Sequence, residues 1–278
     1  MSGPGRHGRQ EDSVGGAGAP PSGTVETTLV GHVGLLRLRR PPHNLLTEPL
    51  LRTLADELEG LKGRCRAAVI ASEGRSFCAG ADFRSAVAPD PAAGNSFVSV
   101  TAAFYAQALR VFDAPVPTVA AVGGGAIGAG FGLALACDLR VVGQRGWFQV
   151  NFVRLGIHPG FALSLTLPRL VGPGRAADLL LTARKVEATE AERIGIADRV
   201  VAEGTEADAA LELAAEIALG SPRATAATRD TLRAGLVEAA RNAMEHELDE
   251  QAALAGTPDA IEGVRAMLER RAPLFGDG

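Results

Sequence analysis

The chain has 278 residues, 46% of them hydrophobic and 22% charged, which is enough apolar material for a sizeable folded core. Its formal net charge is −4, and its Lys and Arg residues are scattered, which argues against a nucleic-acid-binding protein. The three cysteines, Cys65, Cys78 and Cys137, have no spacing that suits a metal site or a disulfide framework. We therefore expect a cytoplasmic protein with reduced thiols and a small-molecule partner.

The order of predicted elements divides the chain into three parts. Residues 1–23 are rich in Gly, Pro and Ser and lack the apolar stretch of a signal peptide, which predicts a disordered tail. In residues 24–204, short apolar strands alternate with helices, which indicates an α/β domain with parallel strands. Residues 205–278 contain no convincing strand and predict a helical region that packs on the core or on a neighbouring subunit.

Strands are predicted over residues 33–38, 67–72, 117–122, 139–142 and 197–202. Helices are predicted from Thr47 onward and over residues 97–112, 129–137, 174–183, 189–193, 206–219, 222–236, 238–254 and 258–271. Residues 73–82 predict a Gly-containing turn, residues 85–94 a loop, and residues 155–160 a turn-rich loop.

Residues 114–137 carry no charged side chain and are long enough for a transmembrane helix. Six glycines in this stretch exclude one continuous helix, because glycine is unfavourable in a helix interior. The stretch therefore predicts a buried strand, a glycine-rich turn and a helix that begins near Ala129, with no membrane span. Such a turn leaves backbone N–H groups unpaired at one point, which favours a binding or catalytic role.

The sequence of this turn is compatible with two functions. Gly123–Gly128 fits the G-x-G-x-x-G pattern of dinucleotide sites, but no acidic residue follows the strand over residues 139–142, where such a site needs one for the ribose. The alternative pairs this turn with the one over residues 73–82. If the N–H groups of Ala81 and Ala129 point at one place, they form an oxyanion hole that stabilises an enolate made from a thioester.

Five segments, in this order, resemble motifs of the enoyl-CoA hydratase/isomerase, or crotonase, superfamily. They are RPPHNL at 40–45, RSFCAGAD at 75–82, AAVGGGAIGAGFGLALACD at 120–138, LGIHPG at 155–160 and TPDAIEGVRAMLERRAPLF at 257–275. The resemblance implies a spiral of ββα units with a C-terminal helical trimerisation domain, assembled as a homotrimer or a dimer of trimers. It also implies an acyl-CoA or related thioester as partner, with coenzyme A as part of the substrate and no tightly bound cofactor, metal, nucleic acid or membrane.

The chain departs from the family pattern at two positions. Hydratases of the family use two glutamates, one three residues after the second oxyanion amide and one shortly before the LG-x-x-PG turn. This sequence has Gly132 and Phe152 there, and neither can transfer a proton. Three interpretations follow: a non-standard isomerase, decarboxylase or lyase that acts through an enolate; a non-catalytic acyl-CoA-binding protein; or a hydratase with a relocated acid and base.

Two other side chains are candidates for catalysis. His158 borders the acyl pocket in the family fold and suits acid–base chemistry near neutral pH, with a hydrogen-bonded structural histidine as the alternative. Asp82 follows the first oxyanion amide, and its position favours a helix-capping role.

The remaining residues are candidates for binding the thioester. Arg84 lies where a basic residue meets the phosphates of CoA or is simply solvated, and His43 lines the CoA entrance or stabilises a turn. Arg271 and Phe275 lie where a neighbouring subunit's C-terminus touches CoA. The acyl-site candidates are Tyr105, Gly128, Gly132, Asn151, Phe152 and Phe161.

Overall fold

A computed structural model describes residues 23–82 and 94–276. Within them, the strands are β1 Thr24–Val30, β2 Val33–Arg39, β3 Ala67–Ser72, β4 Ser76–Cys78, β5 Thr118–Val122, β6 Gly125–Ile127, β7 Leu139–Gly143, β8 Trp147–Gln149, β9 Lys185–Glu187 and β10 Arg199–Val201. The helices are α1 Glu48–Glu59, α2 Gly94–Phe112, α3 Ala129–Ala136, α4 Leu163–Val171, α5 Pro173–Thr182, α6 Ala188–Arg193, α7 Glu206–Ala218, α8 Pro222–Leu232, α9 Leu236–Leu254 and α10 Pro258–Glu269. A short 3-10 helix spans Phe152–Leu155.

The strands form two sheets. The larger sheet has the order β1-β2-β3-β5-β7-β10, in which only the β1–β2 pair is antiparallel. The smaller sheet has the order β4-β6-β8-β9, with β4, β6 and β8 parallel and β9 antiparallel. Strands β3, β5 and β7 of the larger sheet are each followed by a three-residue strand of the smaller one. This repetition confirms the predicted spiral of ββα units.

The core lies on both faces of the larger sheet. On one face, Leu213 and Ala214 of α7 pack with Val69 and Val119 of the central strands. On the other face, the smaller sheet and the helices α1 to α4 enclose the main apolar cluster. Helix α7 therefore covers the sheet directly, while a separate C-terminal oligomerisation domain that begins at residue 205 stays a prediction.

The predicted helices and long strands are confirmed with shifts of a few residues at their ends, but several elements were not predicted. Strands β4, β6 and β8 have three residues each, too few for an alternating pattern, and β6 begins within the glycine run. Helix α4 contains Pro168, and the side chain of its N-cap residue, Ala162, makes no capping hydrogen bond. None of the helices in the described ranges has both the length and the apolarity that crossing a bilayer requires.

Candidate functional site

The smaller sheet brings the two glycine-containing turns together. Strands β4 and β6 are parallel neighbours, with Cys78 beside Ala126, so their carboxyl ends lie at the same sheet edge. Gly80 follows β4 with φ 112°, and a Cβ atom there would lie 3.4 Å from the carbonyl oxygen of Ile127. The turns that carry Ala81 and Ala129 are therefore in contact.

The first turn is fixed by the loop that follows β2. The N–H of Ala79 donates to the His43 carbonyl at 2.9 Å. The backbone of Leu46 forms hydrogen bonds with both neighbours of Ala81. Its N–H donates to the Gly80 carbonyl at 2.8 Å, and its carbonyl accepts the N–H of Asp82 at 2.7 Å. Within the described part of the chain, the amide of Ala81 has no such acceptor, so it is free to bind a ligand oxygen.

The second turn ends at the start of α3. Gly128, with φ 52°, precedes the helix, and its N–H donates to the Gln149 carbonyl at 2.9 Å. Ala129 is the first helical residue, so its N–H has no acceptor within the helix, and the positive end of the helix dipole lies there. The arrangement places two amides at one edge of the smaller sheet, as an oxyanion hole requires; that role stays a prediction.

A buried ion pair supports the first turn. The Arg40 guanidinium donates through Nη2 to Oδ2 of Asp82 at 2.6 Å and through Nη1 to the Leu45 carbonyl at 2.9 Å. The two side chains are 8% and 9% exposed. Asp82 therefore joins the turn to the preceding loop. Its predicted helix-capping role concerns residues 83–93, which lie outside the described residues, as does Arg84.

Asn44 belongs to the same support and was not singled out from the sequence. It is fully buried with φ 50°, and its side chain accepts the Arg40 N–H at 2.8 Å. Its Nδ2 donates to the carbonyls of Glu73 at 2.6 Å and Ser76 at 2.8 Å. His43 lies beside it, with Nδ1 3.3 Å from Oγ of Ser76, a contact that fits its turn-stabilising alternative. An asparagine after two prolines was the available signal, because Asn tolerates positive φ.

Phe161 fills the space next to Gly132. A Cβ atom on Gly132 would lie 2.6 Å from both Cβ and Cδ1 of Phe161. The Phe161 side chain is fully buried, and its ring contacts Phe104 at 5.9 Å between centroids and Phe112 at 6.3 Å. One helical turn after Ala129, the position at which the resemblance expects a glutamate is therefore packed by an aromatic ring.

Asn151 and Phe152 flank the second amide. A Cβ atom on Gly128 would lie 3.1 Å from Oδ1 of Asn151 and 3.5 Å from Cζ of Phe152. Phe152 is buried and begins the 3-10 helix. The thiol of Cys78, the last residue of β4, is buried. Burial raises its pKa to about 12, so this thiol is not a nucleophile at neutral pH. The side chains beside the second amide are thus the aromatic ring of Phe152 and the polar side chain of Asn151.

His158 and Tyr105 make contacts elsewhere. Nδ1 of His158 lies 2.8 Å from the Pro159 carbonyl oxygen, and its ring lies 5.8 Å from that of His246 on α9. His158 borders a cleft of about 410 Å³ between the 3-10 helix, α5 and α9. Tyr105 is buried, which raises its pKa, and its hydroxyl donates to Oε1 of Gln251 at 3.1 Å. Among the described residues, neither side chain forms a hydrogen bond with Ala81 or Ala129.

The C-terminal segment folds back on its own helix. Arg271 pairs with Glu262 and Glu269 of α10, and the Leu274 N–H donates to Oε1 of Glu262 at 2.8 Å. The hydrogen bond with Arg271 is the main cause that lowers the pKa of Glu262 to about 2. Phe275 is 41% exposed. Contact of Arg271 and Phe275 with CoA stays a prediction.

Glu247 is a buried carboxylate that the sequence analysis missed. It accepts hydrogen bonds from the N–H of Ala162 at 2.8 Å, the N–H of Ser164 at 3.1 Å and Oγ of Ser164 at 2.6 Å. Burial raises its pKa to about 7 despite these bonds. It lies on an apolar stripe of α9 that includes Ala240 and Met244, and a polar residue in such a stripe was the available signal.

In the described ranges, no three His, Cys, Asp or Glu residues form a group that could hold a metal ion.

Comparisons with known proteins identify relatives over most of the chain. The sequence model of the enoyl-CoA hydratase/isomerase family matches residues 30–278. A probable enoyl-CoA hydratase of Rhodobacter capsulatus is 33% identical over 254 residues, covering 91% of this chain and 97% of the relative. The 2,3-dehydroadipyl-CoA hydratase of Escherichia coli is 34% identical over 244 residues, covering 87% of this chain and 94% of the relative. An enoyl-CoA hydratase/isomerase structure from Pseudoalteromonas atlantica has a TM-score of 0.78 at 28% identity, covering 91% of this chain and all of that one.

Proposed function

Because this chain belongs to the enoyl-CoA hydratase/isomerase family, we propose that it binds an acyl-CoA thioester with the carbonyl oxygen between the amides of Ala81 and Ala129. It then acts through the enolate as a non-standard isomerase, decarboxylase or lyase. Two preorganised N–H donors stabilise the charge that develops on the oxygen. CoA enters as part of the substrate.

The observation that carries this proposal is the Phe161 ring against Gly132. Hydration needs groups that hold a water at the β carbon, take its proton as its oxygen adds there, and deliver a proton to the α carbon. The ring takes the volume beside Gly132, and Phe152 stands at the other expected position. Decarboxylation fits such a site, because loss of carbon dioxide generates the enolate without a general base. An apolar wall also disfavours the substrate carboxylate relative to the enolate held in the hole.

Two alternatives remain. The names of the hydratase relatives favour a hydratase with a relocated acid and base, for which His158 is the candidate. The contacts of His158 with Pro159 and His246 argue against it, because neither partner lies in the turns of the hole. A non-catalytic acyl-CoA-binding protein would keep the two amides and the apolar walls and would give binding without product.

We also propose a cytoplasmic homotrimer or dimer of trimers. Support comes from large apolar side chains exposed near the C-terminal helices: Leu219, Leu232 and Leu268 are 86%, 75% and 65% exposed. Sedimentation velocity of the purified protein tests the assembly.

The function is tested with a panel of enoyl-, β-keto- and malonyl-type CoA thioesters, following binding by calorimetry and products by mass spectrometry. We expect turnover of a malonyl-type thioester or isomerisation of an enoyl-CoA. Fast hydration of a short enoyl-CoA would support the hydratase alternative, and binding without turnover across the panel would support the binding protein. Absence of binding would refute all three.

The oxyanion role is tested separately by Ala129→Pro, which removes one donor at a helix position that accepts proline. We expect a loss of roughly 10²–10³-fold in turnover, or of tight thioester binding if no reaction occurs. Ala129→Ser keeps the amide and is the matched control. Normal turnover by folded Ala129→Pro would contradict the assignment.

A further inference from the structure

The loop that carries Phe161 is held at both ends by α9. At its start, Nε2 of Gln251 donates to the His158 carbonyl at 2.9 Å. At its end, Glu247, one helical turn earlier, accepts three hydrogen bonds from Ala162 and Ser164. Both side chains are fully buried. Glu247 and Gln251, which are distant from this loop in the sequence, thus fix the segment on either side of Phe161.

The conformation of this loop needs such support. Phe161 and Ala162 have φ values of 61° and 55°, so two successive non-glycine residues adopt the left-handed region. This region is unfavourable for residues with a Cβ atom. The left-handed turn directs the Phe161 ring at Gly132, and the surrounding contacts must stabilise it.

Glu247 supplies the cap that α4 lacks in its own sequence. Helix α4 begins at Leu163, and its N-cap residue Ala162 has no side-chain acceptor for the first N–H groups. The Glu247 carboxylate accepts from two of these amides, at the positive end of the helix dipole. Without it, the Ala162 and Ser164 donors would be left without this acceptor in a buried region, and the left-handed turn would lose its anchor.

We propose that Glu247, together with Gln251, positions Phe161 against Gly132 and thereby limits the length of the acyl chain that the thioester site accepts. This inference rests on the proposed function. Glu247 is a positioning residue, since its contacts are with the loop and not with the two oxyanion amides. When the hydrogen bonds from Glu247 and Gln251 to the loop are lost, Phe161 withdraws from Gly132 and leaves volume for a longer acyl chain.

The test measures dissociation constants of straight-chain saturated acyl-CoAs, from acetyl- to dodecanoyl-CoA, by calorimetry. Phe161→Ala defines the profile of an open site, in which we expect longer chains to gain roughly tenfold in affinity relative to acetyl-CoA. Glu247→Gln should shift the profile in the same direction, and adding it to Phe161→Ala should give no further shift. Glu250→Gln, at an exposed position of the same helix, is the matched control and should keep the wild-type profile.

If Glu247 had a purely structural role, Glu247→Gln would lower the free energy of unfolding without changing the chain-length profile. If Glu247→Gln does not fold, Ser164→Ala removes one of the three bonds and should give a smaller shift of the same sign. An unchanged profile in the folded variant, with wild-type binding intact, would overturn the inference and leave the proposed function standing. Absence of acyl-CoA binding by the wild-type protein would overturn both.

Discussion

The contact between Gly132 and Phe161 predicts a strong energetic coupling between these positions. In Gly132→Ala, the new Cβ atom would lie 2.6 Å from Cβ and Cδ1 of Phe161, about 1 Å inside ordinary van der Waals contact. Elsewhere in a helix, Gly→Ala stabilises by up to about 1 kcal/mol. Here overpacking of a rigid core opposes that gain, and we expect a net destabilisation of about 1–3 kcal/mol.

A double-mutant cycle in urea isolates the coupling. Phe161→Ala alone should cost about 3–5 kcal/mol, because it leaves a cavity in the aromatic cluster. In the Phe161→Ala background, Gly132→Ala should cost less than in the wild type, since the contact with the ring is removed while the contact with the Cβ atom at position 161 remains. Additive free energies of unfolding would show that the ring does not occupy this volume, and the argument against a carboxylate at position 132 would fail with it.

Two further predictions concern buried charges. Burial raises the pKa of Glu247 from 4.5 to about 7 in the folded protein, so the folded state binds this proton more tightly than the unfolded state. The resulting contribution to the free energy of unfolding is fully present below pH 4.5 and is lost as the pH rises through 7. The unfolding free energy of the wild type relative to Glu247→Gln should therefore fall by about 3 kcal/mol over this range, and a pH-independent difference would contradict it. Breaking the buried Arg40–Asp82 pair by Asp82→Asn should cost about 3–5 kcal/mol. Asp56→Asn, which breaks an exposed pair with Arg110, should cost less than about 1 kcal/mol, and similar losses would refute the distinction.

The sequence predicted those parts of the fold whose signal is local and long enough to read. The six-residue apolar strand β3 and the Leu-rich helix α1 were predicted for this reason. The smaller sheet was missed, because strands of three residues are defined by their neighbours and not by a pattern of their own. Yet this sheet brings the turns of Ala81 and Ala129 together, because β4 pairs with β6, and no local sequence pattern predicts that pairing.

The supports of the candidate site were less accessible to sequence reasoning than its amides. Arg40 and Asp82 are 42 positions apart, and Glu247 lies 85 positions from Ala162. Such pairs depend on the tertiary fold, which propensity and periodicity do not report. The left-handed conformation of Phe161 was equally hidden, because nothing in the letters GFAL marks two successive residues with positive φ.

The packing around Gly132 bears on the proposal that this position carries no catalytic carboxylate. A site that had simply exchanged a glutamate for glycine would keep a cavity beside the helix, open to water and to a relocated acid. Here the Phe161 ring contacts the glycine backbone, and the strained turn that directs it is clamped by Glu247 and Gln251. Gly132 and Phe161 therefore act as one unit, and a proton donor placed at position 132 alone has no room. Under the proposed function, Gly132→Glu alone should therefore lose stability without gaining hydratase activity, and a glutamate at position 132 would also require Phe161→Gly to remove the Cβ contact.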